Sequence, residues 1–134
     1  MELKPRIPDT EKITINLGLV DLGQIDLLVQ EGFFTNRSDF IRTAIRTQLL
    51  AHADTVKQTA ARKMLVLGVQ DFAAADLHKL REAGQRLHIR ALGLVRIADD
   101  VSAELALETI ESIDVLGALQ ASPAIKQALA KRLR

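Results

Sequence analysis

The sequence predicts an α+β protein with two differently built halves. A strand–helix–helix unit comes first, and a small three-repeat β/α solenoid-like domain follows. Three observations predict this. Polar and apolar side chains alternate over residues 12–17. Two stretches of helical periodicity flank a turn at Gly32. Leu-Gly pairs recur at Leu67-Gly68, Leu92-Gly93 and Leu116-Gly117, with spacings of 25 and 24 residues. The expected division is residues 1–50, a connecting helix over 51–63, and residues 64–134.

In the strand, Ile13, Ile15 and Leu17 point one way, and Lys12, Thr14 and Asn16 the other. β-Branched content supports an extended conformation. A lone strand leaves its backbone donors and acceptors unpaired, and no strand of matching pattern follows nearby. The economical solution is antiparallel pairing with the same strand of a second chain across a two-fold axis.

A helix over 19–31 follows from Leu19, Leu22, Ile25, Leu28 and Val29 at helical spacing, with Gly32 as its C-terminal stop. Gly23 weakens it somewhat. Thr35 or Asn36 caps the next helix, with Asp39 in its first turn. Phe40, Ile41, Ala44, Ile45 and Leu49 form the apolar stripe of that second helix, and Arg42 and Arg46 lie off it in solvent. Phe33 and Phe34 are read as packing residues. Residues 50–63 contain no Pro or Gly, so the second helix is expected to run on through them as a connector with a basic end.

Residues 10–50 in this order resemble the ribbon-helix-helix DNA-binding domains of the CopG/Arc/MetJ type. The resemblance rests on the strand Lys12–Leu17, the helix ending at Gly32, and Thr35-Asn36-Arg37-Ser38 opening the second helix. It implies a homodimer whose paired strands enter the major groove of double-stranded DNA. Base-edge contacts then fall to Lys12, Thr14 and Asn16. Phosphate contacts fall to Thr35, Asn36, Arg37 and Ser38 at a helix N-terminus, with Arg37 the leading arginine. Asp21, Asp26 and Glu31 face away from DNA. The implied dimer core is Ile13, Ile15, Leu17, Ile25, Leu28, Phe40, Ile41 and Ile45. One departure is Gly18, where the family often carries a stronger helix starter.

Beyond residue 63, each Leu-Gly pair sits in an apolar run and precedes a helical stretch. The helices are expected near 73–83, near 102–110, and from the Ser122-Pro123 cap to about Leu133. Parallel strands are expected because strand–helix–strand crossovers require them. The recurrent Gly marks a place where side-chain bulk must vanish against the next layer. Neither end of the stack carries a clear polar cap. Its edge strands would expose Leu65, Leu67, Val115 and Leu119, so these edges are expected to pair between chains, as a closed dimer or tetramer or as a filament.

Composition sets further limits. Net charge is +1, and residues 1–50 carry six Lys/Arg against seven Asp/Glu. DNA binding therefore has to come from local placement of charge, not bulk basicity. The chain has four Phe and no Tyr or Trp, which disfavours a base-stacking platform for single strands. It has no Cys, and His52, His78 and His88 are scattered, so no metal and no cofactor are expected. Asp99-Asp100 reads as a helix start, and no phosphate loop or catalytic triad is present, so an enzyme is not expected. Met1–Pro8 has no apolar run and suggests no signal peptide. With no membrane-length apolar stretch, the expectation is a cytoplasmic protein that does not enter a membrane.

The function expected is a sequence-specific transcriptional regulator, such as a repressor, acting as a dimer or larger assembly. Two alternatives are an antitoxin-like autoregulator that neutralises a partner protein, and a polymer-forming scaffold. Antitoxin tails tend to be short and disordered until bound, whereas this one is long, apolar and patterned.

Overall fold

The computed structural model describes residues 10–134; the segment read for an export signal lies outside them. The chain divides into two compact units that meet between Val56 and Lys57.

The N-terminal unit contains a non-helical segment before residue 19 and two helices, α1 (Leu19–Gln30) and α2 (Arg37–Ala51). Residues 12–17, read as a strand, are neither helix nor paired strand, and no strand lies beside them among the described residues. Helix α1 ends in a Schellman motif. The Phe33 amide donates to Leu28 O at 3.0 Å, the Gly32 amide donates to Val29 O at 3.1 Å, and Gly32 has φ +84°. Only glycine takes that backbone turn without strain. The chain therefore reverses within a few residues and brings α2 back against α1. Ile25 is the one buried residue of the two helices. Phe34 and Phe40 close the turn edge-to-face, with ring centroids 4.9 Å apart. So thin a core does not offset the entropy of ordering the chain.

The expected continuous connector is interrupted once. Helix α2 stops at Ala51, His52 leaves helical geometry (φ −107°, ψ 12°), and α3 (Ala53–Arg62) follows at once. Three residues of α2, Gln48, Leu49 and Leu50, offer carbonyls to the His52 amide, and His52 Nδ1 lies 2.9 Å from Gln48 O. The histidine caps one helix as the next begins.

The C-terminal unit contains β1 (Val66–Phe72), α4 (Ala74–Glu82), β2 (Leu87–Ile97), α5 (Ala103–Thr109), β3 (Ile110–Gln120) and α6 (Pro123–Ala128). The strands form one parallel sheet in the order β1–β2–β3. Its core joins Leu77 of α4, Leu105 and Ala106 of α5 and Ile125 of α6 to Ile89, Ala91, Val95 and Ile97 of β2 and to Ile110 and Ile113 of β3. The three helices therefore cover a single face of the sheet. Ser102 caps α5 and Ser122 caps α6, through hydrogen bonds from Leu105 N (3.1 Å) and Ile125 N (3.2 Å). Asp100 starts a helix too, though not its own: its carboxylate accepts from Ala74 N, at the head of α4, at 3.1 Å. The last helix is shorter than its sequence signal. It ends at Ala128 and gives way to a 3₁₀ turn (Ala130–Arg132), because Leu133 bridges to Ile113 and Arg134 N donates to Ile113 O at 2.8 Å.

The three Leu-Gly pairs fall in one register, Leu67–Leu92–Leu116 and Gly68–Gly93–Gly117. All three glycines have positive φ, +125°, +140° and +122°. A Cβ on Gly93 would sit 2.3 Å from Gly68 O, and one on Gly117 would sit 1.9 Å from Gly93 O. Each strand bends at the same level, and the bend of one strand nests in the gap left by its neighbour's missing side chain. Nothing lies within 4 Å of the corresponding point at Gly68. Gly93→Ala should therefore cost more than about 3 kcal/mol, since backbone must move. Gly68→Ala should cost about 1–3 kcal/mol, from its backbone angle alone. Urea midpoints of the two variants measure the difference, and equal losses would contradict the nested stack.

Candidate nucleic-acid interface

In the N-terminal unit, the residues read as base contacts lie together on the segment that precedes α1. Lys12, Thr14 and Asn16 are all exposed, and so are Ile13, Ile15 and Leu17, which alternate with them. Ile13 is 83% exposed and Ile15 64%. Leu19, Phe33, Ile45 and Leu49 are also exposed, while Leu28, Phe40 and Ile41 are half-buried. Of the residues read as a dimer core, only Ile25 is buried within the single chain. Isolated exposed apolar residues are ordinary, but a concentration of this kind on a unit with almost no core marks an interaction surface.

The residues read as phosphate contacts gather at the start of α2. Asn36 is the N-cap, its Oδ1 accepting from Asp39 N at 2.8 Å. Asp39 reaches back, its Oδ2 accepting from Thr35 N at 3.0 Å. These two bonds fix the turn and leave Arg37 and Ser38 as the first helical residues, where main-chain amides lack intrahelical partners. A helix N-terminus of this kind carries partial positive charge and suits an anion.

The Arg37 side chain has a partner that sequence reading missed. Its Nε donates to Asp26 Oδ1 and its terminal nitrogen to Asp26 Oδ2, both at 2.8 Å. This two-pronged pair ties α2 to α1 across the Gly32 turn. Hydrogen bonding by Arg37 is the main cause holding the Asp26 carboxyl below its ordinary value of 3.8, ahead of an opposing desolvation and the charge attraction to Arg37, and the same bond raises Arg37. The available signal was an acid on α1 and a base on α2 facing one another across a tight reversal; helical spacing alone hides it because it compares residues within one helix. Arg42 and Arg46 are exposed, as read.

In the C-terminal unit, the residues read as oligomer edges divide between the sheet's two faces. Val115 and Leu119 pack against the helix-side core, whereas Leu67 is 67% exposed and Leu65 is half-buried. A shallow groove there is lined by His88, Arg90, Ser112, Asp114 and Arg134, with His88 Nδ1 2.9 Å from Ser112 Oγ. Among the described residues, no group of acidic, His or Cys side chains could hold a metal ion. No helix of the described residues is long and apolar enough to cross a membrane.

A model of the Ribbon-Helix-Helix transcriptional regulator family matches residues 8–126. No curated protein matches the chain, and no solved structure does. Since the family match spans most of the 134 residues, the chain belongs to that family.

Two outcomes follow from this geometry. Asn36→Ala should destabilise the N-terminal unit by about 1 kcal/mol, the usual worth of an N-cap side chain, as read by urea unfolding; no change would mean that the cap is dispensable. The Asp26–Arg37 pair should make stability pH-dependent. Because the folded carboxyl titrates below its ordinary value, its contribution is complete above that value and disappears as pH falls through the depressed one. Asp26→Asn should remove this acid-side component from the difference in stability curves, and identical curves would show that the pair does not contribute.

Proposed function

From membership in this family, we propose that the chain is a sequence-specific transcriptional regulator that binds operator DNA as a homodimer. Regulators of this family bind DNA and dimerise. The observation that supports the proposal is segment 12–17, which has no strand partner among the described residues and leaves Ile13 and Ile15 exposed in alternation with the exposed Lys12, Thr14 and Asn16. Pairing with the same segment of a second chain satisfies its backbone and buries its apolar side. The polar side of the resulting ribbon then fits the major groove.

On this reading, Thr14 and Asn16 read base edges and Lys12 donates to a guanine or a phosphate. The amides at the start of α2, around Asn36, Arg37 and Ser38, hold a phosphate, with Thr35 lining the same turn. Arg37 supplies charge beside that phosphate while Asp26 holds its guanidinium in place. The three strand–helix repeats form a solenoid-like C-terminal domain that adds contacts between copies. That division of labour compensates for a net charge of only +1, since cooperative docking of several weakly charged units raises affinity.

Thr14→Ala and Asn16→Ala should each reduce discrimination between operator and unrelated DNA, by about 1–3 kcal/mol per lost base contact, and leave the dimer intact. Arg37→Ala should weaken binding to all sequences alike and lower the salt slope by about one unit. Fluorescence anisotropy with fragments selected from the source genome measures both. If none of the three substitutions alters DNA binding at low salt, the regulator reading fails.

A further inference from the structure

The C-terminal sheet has a second face that the helices leave bare. Core residues of β2 are Ile89, Ala91, Val95 and Ile97. By strand alternation, Leu92 and Leu94 point to the opposite side. Phe72, Val115 and Leu119 also pack toward the helices, so Leu67, Val69 and Leu116 share the bare face with Leu92 and Leu94. Register aligns these residues in two neighbouring rows, Leu67–Leu92–Leu116 and Val69–Leu94–Ala118. Leu67 is 67% exposed, and Val69 and Leu116 are each 54% exposed. An all-parallel sheet is found almost only with both faces covered. One face here is covered by α4, α5 and α6; the other carries an apolar strip whose edge-strand members Leu67, Val69 and Leu116 are open to water, while Leu92 is half-buried and Leu94 buried on the central strand.

We propose that this face packs against the same face of a second copy of the chain, inside the dimer formed through the N-terminal strands. Two observations select that occupant. The first is charge. The apolar rows are flanked on one side by Arg90 and Asp114, 3.5 Å apart, and on the other by Arg96 and Asp71, 3.6 Å apart. Each flank carries one cation and one anion, so the face as a whole is neutral and complementary to itself. A two-fold axis across the strands sets the Arg90–Asp114 flank of one copy opposite the Arg96–Asp71 flank of the other, so that two flanks of no net charge meet. Neither nucleic acid nor an anionic membrane matches such a surface, because both require a net cationic one. The second is tethering. Members of this family dimerise, and a C-terminal sheet joined covalently to a dimerised N-terminal unit meets its counterpart at an effective concentration on the order of millimolar. An isologous contact within one dimer also closes the assembly, so no apolar strip is left to propagate it.

This inference rests on the N-terminal dimer, and its test separates the two. The chain has no cysteine, so Leu92→Cys, at the centre of the bare face, provides a single reactive thiol. Lys79→Cys on the exposed side of α4 serves as the control. A bismaleimide of about 10 Å span matches the spacing of packed sheets. Leu92→Cys should be cross-linked between copies about ten-fold or more faster than Lys79→Cys, as expected for a tethered contact, and the rate should not change as the protein is diluted. Adding Leu116→Glu should abolish the cross-link while sedimentation still reports a dimer and circular dichroism an intact fold. Cross-linking of Leu92→Cys no faster than the control, or in proportion to protein concentration, would overturn the inference. A sedimenting dimer with that outcome would leave the N-terminal pairing standing, whereas a sedimenting monomer would remove the dimer that both readings require.

Discussion

The backbone of residues 12–17 is the constraint on which the rest depends. It alternates polar with apolar side chains, and among the described residues it has no strand to pair with. Unpaired strand donors and acceptors are tolerable in water, but the exposed Ile13 and Ile15 beside them are not easily left there. Pairing with a second copy, as proposed, resolves both problems at once. The two helices that follow cannot resolve them, because they bury only Ile25 between them. In the proposed dimer, folding, dimerisation and display of the polar strand face are one event. The turn at Gly32, the Asn36 cap and the Asp26–Arg37 pair fix how α2 begins.

The C-terminal unit solves a different problem with a repeated device. Three strands in parallel must keep register over long crossovers, and a slip of one residue would invert every side chain. The nested glycines prevent such a slip. A neighbour's carbonyl occupies the place of the Cβ at Gly93 and at Gly117, so only the observed alignment fits. Cross-strand pairs such as Arg90–Asp114 and Arg96–Asp71 lie in the same register, although pairs so exposed contribute little stability.

Much of this was legible in the sequence because it depends on local pattern. Gly32 and Asn36 marked the helix boundaries, and the spacing of the Leu-Gly pairs led to three parallel strands in register. What escaped depends on contacts between segments. The Asp26–Arg37 pair spans a turn, Asp100 caps the helix of another repeat, and the final helix is cut short because Leu133 and Arg134 engage β3. Helical pattern alone could not show that His52 interrupts the connector, since neither Gly nor Pro marks the place. Likewise, composition could not separate Leu67 from Val115: both are apolar and both lie on edge strands, but one faces water and the other the helices.

The most direct measurement is amide hydrogen exchange over residues 12–17 in the full-length protein free of DNA. Pairing across a two-fold axis predicts slow exchange at alternate amides of this segment, with protection lost as dilution separates the dimer. Exchange at the rate of an unstructured peptide throughout 12–17, at concentrations where the protein is dimeric, would contradict the account.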